Sequence, residues 1–346
     1  MKRKIIIDAM GGDLAPLEMV KGAVSVQDVL PVEITLVGDK EAIENAAKQI
    51  DYPTERFLVV HTPTVITMED DPLCITRAKS DSSMSVGLRM LAEGKGDAFV
   101  SAGNTGALFT GANLIVRKIK GVRRPAIAAL LPLKPPVLLL DSGANVSVTP
   151  EYLEQFALMG SVYMQKLHGL GAPRIGLLNN GTEECKGTEL QRDTYKLLAA
   201  NPLIHFVGNV EGCGVMQNTC DVLVADGFCG NILLKTMEGM GKLALSSLKS
   251  VFNTNPRTKI AAAMVKDELM ALKKNFDSGE YGGAPILGVT KPVIKAHGSS
   301  DAQAFRNAIY QAFAACEADL SGEISGILQQ KKGERAAEKG EELCNL

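Results

Sequence analysis

The sequence has no tryptophan, no pair of cysteines in a CxxC spacing and almost no net charge. Its 37 Lys and Arg residues nearly balance 39 Asp and Glu residues, so no overall positive field would attract nucleic acid. The seven cysteines are scattered and odd in number, which predicts neither a disulfide framework nor a zinc site. With 346 residues and 46% apolar content, the chain can bury one large α/β core or two smaller ones.

A long hydrophobic run is also missing. The longest apolar tract, residues 125–140, is interrupted by Pro132, Lys134, Pro135 and Pro136, which excludes a spanning helix of about 20 apolar residues. The first predicted strand begins at residue 4, which leaves no room for the apolar stretch of a signal peptide. We therefore expect a cytoplasmic protein.

Short runs rich in Val, Ile and Leu alternate with helical patterns along the chain. This alternation predicts βαβ units and a three-layer α/β/α fold with a mostly parallel sheet. The predicted strands are 4–7, 33–37, 57–60, 98–101, 126–130, 137–140, 174–178, 204–207 and 222–225, and the predicted helices include 17–29, 41–49, 84–93, 151–166 and 189–199. Prolines flank strands 126–130 and 137–140, which lack an intervening helix and therefore predict an antiparallel hairpin.

The same pattern of strands and helices predicts the domain organisation. We expect residues 1–327 to form a single α/β catalytic domain with a helical segment near 240–277. Residues 328–346 are almost all charged or small, a composition that predicts a disordered tail.

The turn after the first apolar run is the most informative feature. Residues 5–7 are all isoleucine and end in Asp8-Ala9-Met10-Gly11-Gly12-Asp13-Leu14-Ala15-Pro16. A β-branched run followed by Gly-Gly and a helix-length stretch indicates the carboxyl end of a parallel strand, where open α/β sheets bind ligands. The two acids are unusual, because a phosphate cradle favours bare backbone amides.

Similar polar, glycine-rich turns follow five later strands. They begin at Ser101, Asp141, Asn179, Gly208 and Asp226. If the strands are parallel, all six turns project from one sheet edge and together form the wall of a cleft. Any one turn could instead be an ordinary helix cap. None of them matches the dinucleotide fingerprint or the phosphate-loop motif.

A phosphate bound among these acidic turns needs cations. The candidates are Arg77, Lys186, Lys235 and Lys295, of which only Lys186 lies inside a turn. His297, in the late motif Lys295-Ala296-His297-Gly298, is either a general base or hydrogen-bond donor to an anion, or a structural histidine.

Seven motifs, taken in order, resemble the bacterial phosphate acyltransferase family of phospholipid synthesis. They are Asp8-Ala9-Met10-Gly11-Gly12-Asp13-x-Ala15-Pro16, Ser101-Ala102-Gly103-Asn104-Thr105-Gly106-Ala107, Leu140-Asp141-x-Gly143-Ala144-Asn145, Gly176-Leu177-Leu178-Asn179-x-Gly181-x-Glu183-x-x-Lys186-Gly187, Gly208-Asn209-Val210-Glu211, Asp226-Gly227-Phe228-x-Gly230-Asn231 and Lys295-Ala296-His297-Gly298. The resemblance spans residues 4 to about 320. Leu14 departs from it, because the family usually carries histidine at that position.

The resemblance implies an enzyme that transfers a fatty acyl group from acyl carrier protein to inorganic phosphate. The acyl phosphate formed would be used by the membrane glycerol-3-phosphate acyltransferase. The resemblance also implies a homodimer, no redox cofactor, and a fold similar to the isocitrate/isopropylmalate dehydrogenase and phosphotransacetylase group. Two alternatives are an NAD-dependent decarboxylating dehydrogenase of the same fold and a non-catalytic phosphate- or acyl-binding protein.

The reaction itself needs little acid–base help, since phosphate is largely ionised and a thiol leaves readily as thiolate. We therefore expect Lys186 and the turns of Asn104 and Asn231 to bind phosphate and the oxyanion, with His297 donating a hydrogen bond and no metal ion. The further substrate-binding residues that we predict are Asp8, Gly11, Gly12, Asp13, Gly103, Thr105, Asn145, Asn179, Glu183, Asp226 and Gly230.

Two surface features fit these substrates. Five cations lie within eight residues, Arg117, Lys118, Lys120, Arg123 and Arg124, and we predict that they dock the acidic acyl carrier protein. The alternative is a solvated helix end, where cations favour the helix dipole.

Residues 258–276 have the pattern of one basic amphipathic helix. Its apolar positions share one arc, and Lys259, Lys266 and Lys273 lie opposite, seven residues apart. This face packs against the core or a dimer partner, or it contacts a membrane surface peripherally.

Overall fold

The computed structural model describes residues 2–275 and 282–344. In this part of the chain eleven strands form one sheet in the order β3-β2-β1-β4-β11-β10-β5-β6-β9-β7-β8. The strands are β1 Arg3–Asp8, β2 Val32–Gly38, β3 Leu58–His61, β4 Ala98–Ser101, β5 Ala126–Leu131, β6 Val137–Leu140, β7 Arg174–Leu178, β8 His205–Val210, β9 Val222–Val224, β10 Ala284–Leu287 and β11 Val293–Lys295. The predicted mostly parallel α/β fold is confirmed.

The direction of the sheet reverses at its centre. Strands β1, β2, β3, β4 and β11 are parallel to one another, as are β6, β7, β8 and β9. The pairs β11–β10, β10–β5 and β5–β6 between them are all antiparallel, and the last of these is the predicted hairpin. Three successive reversals leave the two parallel groups running in opposite directions. The expectation that all polar turns share one sheet edge is therefore wrong.

Helices cover both faces of the sheet. The helices are α1 Leu17–Gln27, α2 Lys40–Lys48, α3 Ser83–Ala92, α4 Thr105–Gly111, α5 Pro150–His168, α6 Glu189–Ala199, α7 Gly212–Val215, α8 Gly227–Phe252, α9 Pro256–Met264, α10 Lys266–Asn275, α11 Ala302–Glu317 and α12 Leu320–Cys344. Side chains alternate along β1: Ile5 and Ile7 pack in one core cluster with α1 and α11, and Ile6 packs in another with α3 and α4. This alternation explains why the run is apolar throughout.

The late part of the chain differs from the sequence predictions. Strands β10 and β11 were not predicted, because β10 contains Pro285 and β11 directly follows Pro292, and a proline in or beside a short apolar run argues against a central strand. The helix expected over 258–276 is broken at Val265 into α9 and α10, and Phe276 lies outside the described residues. The backbone of α12 is helical through Cys344, and Leu328 and Lys331 are buried, whereas a disordered tail was expected from residue 328. Within the described ranges, no helix is long and apolar enough to cross a membrane.

Helix α8 starts directly against the end of β6. A Cβ atom at Gly230 would collide with the backbone carbonyl oxygen of Asp141, whereas one at Gly239, nine residues further along the same helix, would meet nothing within 4 Å. Glycine at position 230 is thus required by close approach of two backbone segments.

We predict opposite effects for alanine at these two positions. Gly230→Ala should lower the free energy of unfolding by about 2 kcal/mol, because backbone atoms must move apart. Gly239→Ala should raise it by about 0.5–1 kcal/mol through helix propensity alone. Urea denaturation measures both variants, and equal effects would contradict the close approach of α8 to β6.

Candidate active site

Two of the predicted turns meet at the ends of β1 and β4. The Asp8 carboxylate is buried and accepts a hydrogen bond from Ser101 Oγ at 2.7 Å, and Ser101 Oγ accepts one from the backbone N–H of Gly103 at 3.0 Å. Burial raises the pKa of Asp8, an effect that the hydrogen bond from Ser101 partly offsets. Gly11 packs directly against Asp8 and Gly103. Asp8 thus holds the two turns together.

The next turn residues connect this pair to the end of β11. Gly12 has a left-handed φ of 111°, which places its backbone against Ala102 and Gly298. The backbone N–H of Asp13 donates to the carbonyl of Gly298 at 2.8 Å. The Asp8–Pro16 turn therefore supports the Lys295–Gly298 segment.

Lys295 ends β11 and is only 8% exposed. Its Nζ donates to the carbonyl oxygen of Ala102 at 3.1 Å and to that of Ala296. Burial lowers the pKa of Lys295 to about 8, although the Asp8 and Asp13 carboxylates act in the opposite direction. A lysine buried this deeply between carbonyl groups is a functional candidate.

His297 follows two residues later and is exposed to the cavity described below. Its Nδ1 accepts a hydrogen bond from the backbone N–H of Ser299 at 3.3 Å and lies 2.9 Å from Ser299 Oγ. Partial burial and the Lys235 and Lys295 ammonium groups lower its pKa, so the ring is neutral near pH 7. With Nδ1 as acceptor, the ring proton is assigned to Nε2, which makes His297 a hydrogen-bond donor.

At the opposite sheet edge, Asp141 organises the ends of β6 and β9. Its carboxylate accepts from the backbone of residues 127, 143, 144 and 145 and from Asn145 Nδ2. Asn145 also donates to the carbonyl of Pro125 at 2.8 Å, and Asp226 caps α8 by accepting from Phe228 and Cys229. Asn145 and Asp226, which we predicted to bind substrate, are thus used within the fold.

A cavity of about 340 Å³ lies between strand β5 and helix α8 and joins residues of both edges. Its β5 wall includes Ile127 and Ala129. Its α8 wall consists of Asn231, Leu234, Lys235 and Glu238, which recur at the spacing of one helix face. Thr105, Ser142, Gly143, Gly282, Gly283, Lys295 and His297 complete the lining, together with Leu130, Ala284 and Ala296. Helix α8 therefore brings the end of β9 to the end of β11, although these strands end at opposite sheet edges.

The structure does not bring all predicted catalytic residues together. Asn231 and His297 line the cavity, but Asn104 does not. The Asn104 side chain caps α4 through Ala107 and donates to the carbonyls of residues 67, 68 and 70, so both ends of its amide are occupied. The Asn104 side chain is therefore used within the fold, and a role of its turn in binding phosphate or the oxyanion stays a prediction.

Lys186 lies on an exposed loop after β7 and is absent from the cavity lining. The loop is closed by its own residues: Asn179 Nδ2 donates to the Lys186 carbonyl at 3.3 Å, and Asn209 Nδ2 donates to the Glu183 carbonyl at 2.8 Å. Asn179, Glu183 and Lys186 thus form a separate group, two strands away from β6 in the sheet.

The cavity residues that the predicted set omitted are chiefly Lys235, Glu238 and Lys295. Lys295 had a usable signal, because it follows Val293-Ile294 and so places a cation at the end of an apolar run. Lys235 was, like Lys295, among the four candidate cations but was not carried into the predicted site, and Glu238 had no signal, since a charged pair on a helix is ordinarily solvated. Across residues 2–275 and 282–344, no cluster of His, Cys, Asp or Glu side chains could hold a metal ion.

Comparison with known proteins identifies a family that covers most of the chain. The family described as "Fatty acid synthesis protein" matches residues 3–322. A "Phosphate acyltransferase" of Thermoanaerobacterium thermosaccharolyticum is 46% identical over 322 residues, which cover 93% of this chain and 95% of the relative. One of Oceanobacillus iheyensis is 43% identical over 328 residues, which cover 94% and 97%.

Solved structures share the fold at much lower identity. A phosphotransacetylase from Streptococcus pyogenes superposes with a TM-score of 0.63 at 15% identity, over 92% of this chain and 94% of that one. A 4-hydroxythreonine-4-phosphate dehydrogenase from Klebsiella pneumoniae gives 0.55 at 12% identity, over 91% and 98%. The expected fold group is confirmed, and it includes both transferases and dehydrogenases.

Proposed function

The chain belongs to the family of fatty acid synthesis proteins whose curated relatives are phosphate acyltransferases, and we propose that it transfers a fatty acyl group from acyl carrier protein to inorganic phosphate at the cavity between β5 and α8. The observation that supports this most is the lining of that cavity. It combines an apolar wall for an acyl chain with ammonium, imidazole and amide groups for anions. The relatives' activity argues against the dehydrogenase and non-catalytic alternatives.

The proposed reaction is a direct displacement at the thioester. An oxygen of HPO₄²⁻ attacks the carbonyl carbon, the C–O bond forms, and the C–S electron pair leaves with sulfur. The proton lost by phosphate reaches the thiolate, whose conjugate thiol has an ordinary pKa near 8.5. The products are acyl phosphate and the carrier thiol, without any redox change or covalent enzyme intermediate.

Within this reaction the protein holds two anions close together. The His297 Nε2–H and the Asn231 amide are the proposed donors to the oxyanion that develops on the thioester carbon. Asp8 and Asp13 act indirectly, because they position the Lys295–Gly298 segment through Ser101 and Gly298.

We predict that the protein converts carrier-bound acyl chain and phosphate to acyl phosphate, trapped as hydroxamate with hydroxylamine. Asn231→Ala should lower kcat by about 100–1,000-fold, the usual effect of removing one oxyanion donor. Lys186→Ala, outside the cavity, tests the original assignment of phosphate binding to that loop. No phosphate-dependent hydroxamate from the wild type would contradict the function, and loss in Lys186→Ala alone would contradict the location.

The basic segment Arg117–Arg124 is the proposed docking site for acyl carrier protein. All five cations are exposed, and they follow a π-helical segment, Ala112–Val116, that continues α4. The segment leads directly into β5, so that Arg124 lies only three residues, about 10 Å of extended chain, before the cavity residue Ile127. A carrier bound here would lie beside the cavity.

Reversing two of these charges should affect the carrier selectively. Arg117→Glu with Lys120→Glu should raise the KM for acyl carrier protein by about 5–20-fold at low salt and reduce its salt dependence, with little change in kcat. The control, Lys48→Glu with Lys196→Glu, makes the same change of net charge on exposed residues elsewhere. Equal effects of the two pairs would contradict docking at this segment.

Helices α8–α10 expose an unusual amount of apolar surface. None of the α9 residues is buried, and Ile260, Met264 and Met270 are each at least 60% exposed. Packing of α9 against the chain's own core, one of the three possibilities that the sequence left open, is therefore not seen in the described residues. We propose that a second copy of the chain covers this face in a homodimer; a membrane surface is the other occupant considered.

Met264→Glu should weaken the dimer without unfolding the monomer, because the side chain is exposed within the chain. Sedimentation velocity measures the dimer dissociation constant, and Val29→Glu, which introduces a charge at another exposed apolar position, is the control. An unchanged dimer combined with lost sedimentation on anionic liposomes would contradict the dimer proposal and assign the face to a membrane.

A further inference from the structure

Lys295 presents an ammonium group whose bonding is incomplete. An ammonium has three N–H donors, and among the described residues Lys295 finds two acceptors, the carbonyls of Ala102 and Ala296. The residue lines the cavity. Burying a charged ammonium here raises the free energy of the folded chain unless a further hydrogen-bond acceptor or an opposite charge stabilises the ammonium.

A second ammonium faces the same cavity from the other wall. Lys235 lies on the cavity face of α8 and is held by Glu238, whose Oε2 is 2.8 Å from its Nζ. The charge of Lys235 opposes protonation of Lys295, so the two cations repel each other across the cavity. Such an arrangement favours an anion between them.

The carboxylates near Lys295 and Lys235 differ in whether they line the cavity. Asp8 and Asp13 interact with Lys295 but do not line the cavity, so they offset its charge without occupying the space beside it. Glu238 does line the cavity, and it competes with an incoming anion only for Lys235. Lys295 is thus the cation left for a ligand.

We propose that the phosphate dianion binds between Lys295 and Lys235, with Lys295 as its inner ligand and Lys235 exchanging Glu238 for a phosphate oxygen when the site fills. This inference rests on the proposed function and assigns the phosphate to the cavity rather than to the Lys186 loop. Both lysines then neutralise the nucleophile as it approaches the thioester carbon.

The three cavity residues should respond differently in steady-state kinetics with varied phosphate. Lys295→Met should lower kcat/KM for phosphate by about 100-fold, as expected for loss of a charge-assisted hydrogen bond at a reacting group. Lys235→Met should raise the phosphate KM by about 10-fold with kcat nearly unchanged. Glu238→Gln should lower that KM, because Lys235 is then released from its partner.

The pH profile supplies a readout that a merely structural role would not affect. Lys295 loses its charge above pH about 8, so kcat/KM for phosphate should fall there. Asp8, Asp13, Lys235 and His297 are the titratable groups that interact with it. Lys235→Met removes a repelling charge, so it should move this alkaline limb to higher pH; an unmoved limb would contradict the pairing of the two lysines.

Binding is measured separately from turnover by the effect of inorganic phosphate on the melting temperature. Phosphate should raise Tm for the wild type and for the surface control Lys196→Met, and should not raise it for Lys295→Met. Lys295→Met should itself fold with an equal or higher Tm, since a buried charge is removed. A folded Lys295→Met that retains the wild-type phosphate KM and Tm shift would overturn the inference. Absence of acyl phosphate with an intact, Lys295-dependent Tm shift would overturn the proposed function instead.

Discussion

The three antiparallel pairings at the centre of the sheet are the constraint on which the site depends. They reverse the second parallel group, so the polar turns of the two groups lie at opposite edges and cannot form one cleft directly. Helix α8 resolves this separation, because it starts at the end of β9 and presents Asn231 and Lys235 to the cavity that Lys295 and His297 also line. The close contact of Gly230 with the Asp141 carbonyl fixes where that helix begins.

The burial of Lys295 places a cation where an anionic substrate can bind, and it lowers the stability of the folded chain. Burial favours the neutral amine over the charged ammonium, which lowers the pKa of Lys295 to about 8. Below about pH 8 the folded chain buries a charge that water solvates better in the unfolded chain, so Lys295 lowers the free energy of unfolding. This destabilisation decreases as the pH rises from about 8 toward the ordinary pKa of lysine, because the folded chain then loses the proton first. Such a residue is explained more readily by an anionic ligand than by packing.

Much of the fold could be predicted from the sequence, since β1 to β9 and α1 to α6 carry clear apolar periods and glycine-rich turns. The central strands β10 and β11 could not, because Pro285 lies within one and Pro292 directly precedes the other, and both prolines indicate a turn rather than a central strand. Without them the reversal was hidden, and six turns were placed at one edge. The family's residue types were recognised correctly, but the roles of Asn104 and Lys186 depended on that edge. The residue types of each turn could be predicted from the sequence, whereas the pairing of strands that are distant in sequence could not.

The central claim is that the anion site lies between β5 and α8. Crystals soaked in selenate, a tetrahedral anion that resembles phosphate, would locate it by the anomalous scattering of selenium. We expect the strongest peak within hydrogen-bond distance of Lys295 Nζ and near Lys235, and no comparable peak at the Asn179–Lys186 loop. A dominant peak at that loop, with an empty cavity, would contradict the account.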